Sequence, residues 1–398
     1  MKRLILLFLL IPALHSFAQT EAFVRGADVS WCTEMEADGK VFRNADGEVT
    51  DIFALLRRIG MTAVRLRVWV NPERLGYGAW SDKADVLKKA RRAQAQGLDI
   101  MIDFHYSDFF VDPGTQTTPL DWQGFSLDQV KEALAAHTKD VLQTLKSEGI
   151  EPKWVQVGNE TNNGMIWDYG RIDWNLSDAA RYTNYVALSN VGYDAVKSVL
   201  PHAAVIVHLG NTKDALWFYE EFKEAGGKFD MIGLSHYPTI EEWNSTDAEA
   251  AYSNANAASQ VSEAIGKFQV PVMICETGFD AWQQDLAAEV MEDLMNRMKV
   301  IPGCAGVFYW EPEVDGQWKP AYYSQTGWGA YGKGAFTTDG RPTKILDAFS
   351  EKTNGIHITY RTTPPGTKRY APYKAAKFKN AKGYKVVTRQ DKKRLNSR

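Results

Sequence analysis

Lys153-Trp154-Val155-Gln156-Val157-Gly158-Asn159-Glu160 is an apolar run that ends in a carboxylate, and Val270-Pro271-Val272-Met273-Ile274-Cys275-Glu276 repeats the arrangement. Each run is too short for a helix and is bounded by Pro or Gly, so each reads as a short buried strand. A carboxylate at the C-terminal end of a barrel strand stands where such folds keep their chemistry. Two of them at facing strand ends are the parts of a glycosidase, one an acid and the other a nucleophile or base. Two glutamates that merely cap nearby helices would leave the arginines and aromatic loops of the same chain unexplained.

Outward from these runs, strand and helix signals alternate from residue 23 to 349. Strands are predicted over 23–30, 62–69, 98–104, 153–158, 203–209, 229–235, 270–275 and 304–310. Helices are predicted over 50–59, 82–96, 127–147, 177–199, 213–225, 247–268, 283–299 and 343–349. Eight successive βα units in one segment are the pattern of an α/β protein with a single (β/α)8 TIM barrel. A doubly wound open sheet is the competitor, but no strand is followed by GxGxxG or GxxxxGK[ST].

Composition bounds the rest. Lys2 and Arg3 precede an apolar run from Leu4 to Leu14, and Ser16-Phe17-Ala18 offers a cleavage site, so residues 1–18 read as a signal peptide. The run is too short to span a bilayer, and no later stretch is apolar enough to do so. The expectation is an exported protein (periplasmic, cell-surface or secreted), acting as a monomer. The barrel is assigned to 19–350. Residues 351–398 carry fourteen Lys or Arg against two acids, a net of +12, which leaves −15 on residues 1–350 of a chain whose total is −3. This basic tail is expected to be largely disordered and is given no nucleic-acid role. Cys32, Cys275 and Cys304 make no disulfide framework. Alternation turns Cys275 away from Glu276, toward the packing helices.

The loops after the strand ends are long and aromatic. Phe109, Phe110, Trp122 and Phe125 lie in 106–126, and Trp167, Tyr169 and Trp174 lie in 161–176. Trp318, Tyr322, Tyr323, Trp328 and Tyr331 lie in 311–341. Such loops belong to the C-terminal face of the barrel, and Trp-lined grooves suit the flat apolar faces of sugar rings. Alternation places Gln156, Gly158 and Glu160 inside the barrel, with Arg65, Arg67 and Trp69 together on the inner face of the second strand. Two arginines in a barrel interior need anionic partners, and glutamates at neighbouring strand ends can supply them. One of the two can instead serve as a structural ion-pair residue, and Arg65 is the better site candidate. His105 shares the face of Asp103, Ser235-His236-Tyr237 offers a hydrogen bond to a carboxylate, and Trp310 points inward as a sugar platform. No HxH, HExxH or GxSxG occurs, which argues against a hydrolytic zinc centre and a serine esterase.

These residues resemble the arabinogalactan endo-β-1,4-galactanases, within the retaining glycosidases built on (β/α)8 barrels. The resemblance runs from about Phe23 to Phe349 and rests on GADVS at 26–30, RLRVWVNP at 65–72, DFHYSD at 103–108, DPG at 112–114, QVGNE at 156–160, IGLSHYP at 232–238 and FYWEP at 308–312. It implies Glu160 as general acid/base, Glu276 as nucleophile, Asn159 on the 2-hydroxyl of the reacting sugar, and endo-acting cleavage of the β-1,4-galactan side chains of pectin. Substrate contacts are expected from Arg65, Trp69, His105, Asp108, Asn159, His236, Tyr237 and Trp310. No cofactor is required and no metal ligand is assigned. Some bacterial members carry calcium in the loop after the eighth strand, where Asp315 sits without an evident run of oxygen ligands. Thr277-Gly278-Phe279 departs from the more polar or aromatic continuation expected after Glu276. The alternatives are another β-linked glycan such as mannan, and an exported glycan-binding barrel without activity.

Overall fold

The computed structural model describes residues 22–350 apart from 246, 248 and 249, so the expected signal peptide and basic tail lie outside the described residues. Eight parallel strands close into a barrel: Val24–Asp28, Ala63–Val68, Asp99–Phe104, Trp154–Val157, Ala204–Leu209, Met231–His236, Val272–Thr277 and Cys304–Trp310, each hydrogen-bonded to the next in chain order and the last to the first. Helices connect them, as the alternation of signals predicts. Local chemistry sets the helix ends. Ser126 and Gln129 form a capping box at the start of Leu127–Ser147, Asp51 caps Ile52–Ile59, and Gly60 ends that helix in the left-handed conformation.

Because every strand is covered on both faces, its side chains sort into two apolar layers. Val64, Leu66 and Val68, Ile100, Ile102 and Phe104, and Val205, Val207 and Leu209 face the helices. Inside, Val24, Ala63, Met101, Trp154, Ile206, Met231, Met273, Cys275 and Phe308 form an apolar floor. Above that floor, toward the strand C-termini, the interior turns polar: Asp28, Arg65, Asp103, Gln156, His208 and Ser235 are all buried there.

Cys275 corrects the reading from alternation. It belongs to the inner floor, not the helix layer. The register against the sixth strand shifts between Leu234 and Ser235, so that Ile274 faces Leu234 while Glu276 faces Ser235. One extra residue is thus accommodated in the seventh strand, and such a bulge brings two successive residues to one face. All three cysteines are free and buried. Other differences are at element ends. The segment before Thr183–Val199 is a 3-10 turn, the helix predicted over 247–268 starts at Asn254 under a Ser253 cap, and the last element, Lys344–Phe349, is 3-10. Short elements inside loops carried too little periodicity to read: the helices Cys32–Ala37 and Ala321–Thr326, and the two-stranded ribbon of Gly164–Met165 with Gly170–Arg171.

Phe308 fills the floor opposite Gly26, where an added Cβ would come within 2.3 Å of its ring. Truncation of Phe308 to alanine is expected to lower stability by about 3–5 kcal/mol, measured by urea denaturation. A loss below about 1 kcal/mol would contradict a closely packed floor.

Candidate active site

Arg65 is the hub of the polar layer, with its side chain 1% exposed. One Nη donates to Asp28 at 2.7 Å, and the other reaches Asp103 at 2.8 Å, Glu276 at 2.9 Å and Asn159 Oδ1 at 2.8 Å. Its Nε donates to Gln156 Oε1 at 3.2 Å. Residues of the first, third, fourth and seventh strand ends are therefore gathered on one guanidinium. Arg67 serves elsewhere. It pairs with Glu311 at 2.9 Å and lies over Phe110 and Trp69 at 4.3 and 4.9 Å.

Glu160 and Glu276 meet in this layer. A carboxylate oxygen of each and a ring nitrogen of His208 lie within 4.8 Å of one another. Their surroundings differ. Glu276 touches the Arg65 guanidinium and accepts from the Tyr237 hydroxyl at 3.0 Å. Among the described residues Glu160 pairs with no cation; its Oε1 accepts from Ser235 Oγ at 2.6 Å. Burial first, and the charge of Glu276 second, hold the Glu160 carboxyl well above the usual carboxylate range. Burial raises Glu276 as well, but Arg65 and the Tyr237 hydroxyl work against it. Glu276 is therefore the first of the pair to ionise. Gly210 permits this packing, since a Cβ there would lie 3.1 Å from the Glu160 carboxyl carbon and 2.7 Å from Pro113.

The remaining expected residues divide. Asn159 joins the hub, although its Nδ2 donates to Val111 O at 2.8 Å. His105 lies beneath the site: its Nδ1 accepts from Val111 N, so Nε2 carries the proton toward Asp103 at 2.9 Å. Tyr237 and half-buried Trp310 are at the mouth, with Trp310 packed edge-on to Tyr331 at 4.6 Å and near Trp31 at 5.3 Å. Three expectations are corrected. Trp69 is 1% exposed and stacks on Phe109, so it supports the aromatic wall from behind. Asp108 accepts from the backbone N–H of Asn71 and Leu120 and ties two loops together. His236 faces the helix layer, where Nε2 pairs with Asn254 Oδ1 at 2.9 Å; its neighbour Ser235 takes the inward position.

Asp28, Asp103, Gln156, His208 and Ser235 complete the network without having been singled out as site residues. The alternation that places Val205, Val207 and Leu209 outside also places His208 inside, so the signal for it was present. Glu311 is a third strand-end glutamate, but it is fully buried against Arg67 and the Trp31 N–H. Asp315 commits one oxygen to Lys40 at 2.7 Å and the other to the N–H groups of Gln317 and Trp318. The set of Glu160, Glu276 and His208 has the composition of a metal site. Its partners oppose that use, because Arg65 places a cation on Glu276 and both His208 nitrogens are hydrogen-bonded. Gly278 accounts for the departure after Glu276: a Cβ there would lie 2.8 Å from the Tyr331 hydroxyl.

A carboxylate pair at the mouth of a (β/α)8 barrel has a family counterpart. Residues 24–290 match the sequence profile of Glycosyl hydrolase family 53. The chain belongs to that family. It is a glycoside hydrolase whose relatives include an endo-beta-1,4-galactanase of Bacillus subtilis, 30% identical over 73% of this chain and 70% of that protein. An arabinogalactan endo-beta-1,4-galactanase of Cellvibrio japonicus is 30% identical over 74% of this chain and 81% of that protein. Among solved structures, a fungal beta-1,4-galactanase superposes with a TM-score of 0.70 at 25% identity, covering 83% of this chain and 99% of that one. The family 53 fold is thus the one read from the strand pattern. Among the described residues, no helix is long and apolar enough to cross a membrane.

The hub has a consequence for acid stability. Burial alone would raise Asp103, but Arg65 and the His105 N–H outweigh it and hold the carboxyl down to about 2. The unfolded chain therefore takes up this proton at higher pH than the folded protein does. The resulting stability is complete above about pH 4 and is lost as pH falls toward 2. Wild type is expected to lose about 2 kcal/mol more than Asp103→Asn across that window, measured by denaturant unfolding at fixed pH values. Equal losses would contradict the assignment.

Proposed function

We propose that this family 53 enzyme is an endo-acting hydrolase of β-1,4-galactan that retains anomeric configuration by double displacement through Glu276 and Glu160. The observation that carries the reading is the separation and unlike surroundings of the two carboxyls. One carboxyl oxygen of each lies within 4.8 Å of the other, an approach that supports a retaining pair, roughly 5–5.5 Å apart, over the roughly 6.5–9.5 Å that leaves room for water in an inverting one.

Glu276, ionised against Arg65, attacks the anomeric carbon; the bond to the leaving oxygen breaks, and that oxygen takes the proton of Glu160. Forming the glycosyl ester removes the negative charge of Glu276, so Glu160 becomes a stronger acid and stays ionised. It then deprotonates water, which attacks the same carbon and frees Glu276. Trp310 and the wall behind it offer an apolar face for the reacting sugar. The substrate rests on the named activities of the relatives. Export rests on the Lys2-Arg3 and Leu4 to Leu14 pattern, and we take the enzyme to act as a monomer.

Reducing-sugar release from debranched β-1,4-galactan tests the proposal, with mannan and mixed-linkage glucan in parallel. Galactan alone is expected to be cleaved, and Glu276→Gln to abolish release. Glu160→Ala should retain the first step on a substrate with an activated leaving group and be rescued by azide as the β-glycosyl azide. Rescue of a 276 variant in that configuration would exchange the two roles. Activity confined to another glycan would discard the substrate.

A further inference from the structure

We infer that His208 and Ser235 are positioning residues that decide which oxygen of Glu160 carries its proton. This rests on the general-acid reading of Glu160 above. Ser235 Oγ lies between two partners, 2.6 Å from Glu160 Oε1 and 3.0 Å from His208 Nε2. A hydroxyl has one proton to donate, so its direction depends on the tautomer of His208.

That tautomer is fixed from the far side of the ring. Gln156 Nε2 stands 2.9 Å from His208 Nδ1, and the Glu160 backbone N–H points at the same atom from 3.4 Å. Gln156 cannot turn its amide over. Its Oε1 accepts from Arg65 Nε at 3.2 Å and its Nε2 donates to Asp103 at 2.6 Å, a permanent cation on one side and a carboxylate on the other. Asn159 Oδ1 is an acceptor 3.0 Å from Nδ1, which would favour a proton there. That oxygen already accepts from Arg65 at 2.8 Å, and against this one acceptor two N–H groups, of the Gln156 amide and of the Glu160 backbone, are directed at Nδ1. Nδ1 is therefore the acceptor and Nε2 bears the hydrogen.

The sequence of donors then runs one way: Gln156 to His208, His208 Nε2–H to Ser235, and the Ser235 hydroxyl to Glu160 Oε1. With Oε1 held as an acceptor, the acid proton of Glu160 resides on Oε2, the oxygen left free for the glycosidic bond. His208 and Ser235 are both fully buried, so water does not scramble the order. Burial and the nearby Arg65 keep the His208 ring neutral. The ring thus acts by orientation and passes no charge to Glu160.

The test compares two substrates with unlike need for a proton: β-1,4-galactan, whose leaving alkoxide requires one, and the 2,4-dinitrophenyl glycoside of β-1,4-galactobiose, whose phenolate does not. Ser235→Ala is expected to lose at least about tenfold more kcat/KM on galactan than on the aryl glycoside. The alkaline limb of its pH profile should move upward, because a donor to ionised Glu160 is gone while Glu276, Asp112, Arg65 and His208 still face it. If the alanine variant does not fold, Ser235→Cys is read in the same way. Equal losses on both substrates with an unmoved profile would overturn the assignment and leave Ser235 a packing residue. Wild type that cleaves a different β-glycan would remove the galactanase reading instead. The same tenfold contrast is then expected between that glycan and its own dinitrophenyl glycoside.

Discussion

One buried guanidinium organises this molecule. Arg65 cannot be taken out of water without partners, and the barrel supplies three carboxylates and two amides from four other strand ends. Three negative charges converge on one positive charge, so the neighbourhood is short of cations. Every further acid added to it is pushed toward its neutral form. That shortage is what separates the two glutamates. Glu276 has a share of Arg65, whereas the Glu160 carboxylate makes its hydrogen bond with the Ser235 hydroxyl.

The geometry that delivers these groups is concentrated where strands end. Tyr106, Glu160 and Glu311 all have φ near +50°, a conformation that non-glycine residues rarely adopt. At Glu160 this turn follows Gly158, itself at φ 84°, and swings the carboxylate back over the barrel mouth, where Ser235 fixes it. Behind the mouth the aromatic residues do two tasks. Trp31, Phe110 and Tyr323 pack against one another and, with Trp69, seal Arg67 and Glu311 from water. Trp310 and Tyr331 form the part of the wall nearest the site.

The barrel was legible because buried parallel strands read as short apolar runs and the helices between them have capped, periodic sequences. The strand alternation that assigned Arg65, Gln156 and Glu160 to the interior follows from local sterics and held on those strands. It failed at Cys275, since a bulge is decided by the register of a neighbouring strand that is distant in sequence. His236 and Trp69 were misread for another reason. A polar or aromatic residue beside a site has two faces to choose from, and the choice depends on what lies outside: Asn254 for one, Phe109 for the other. The order of donors through Gln156, His208 and Ser235 joins three strands and had no signature in any single segment.

The configuration of the first product tests the central claim most directly. Proton NMR of the anomeric region during the first minutes of galactan hydrolysis should show the β-anomer of the new reducing end appearing first, with the α-anomer growing only by mutarotation. Initial release of the α-anomer would mean that water and not Glu276 attacks the sugar, and the account of a carboxylate pair poised on Arg65 for double displacement would be wrong.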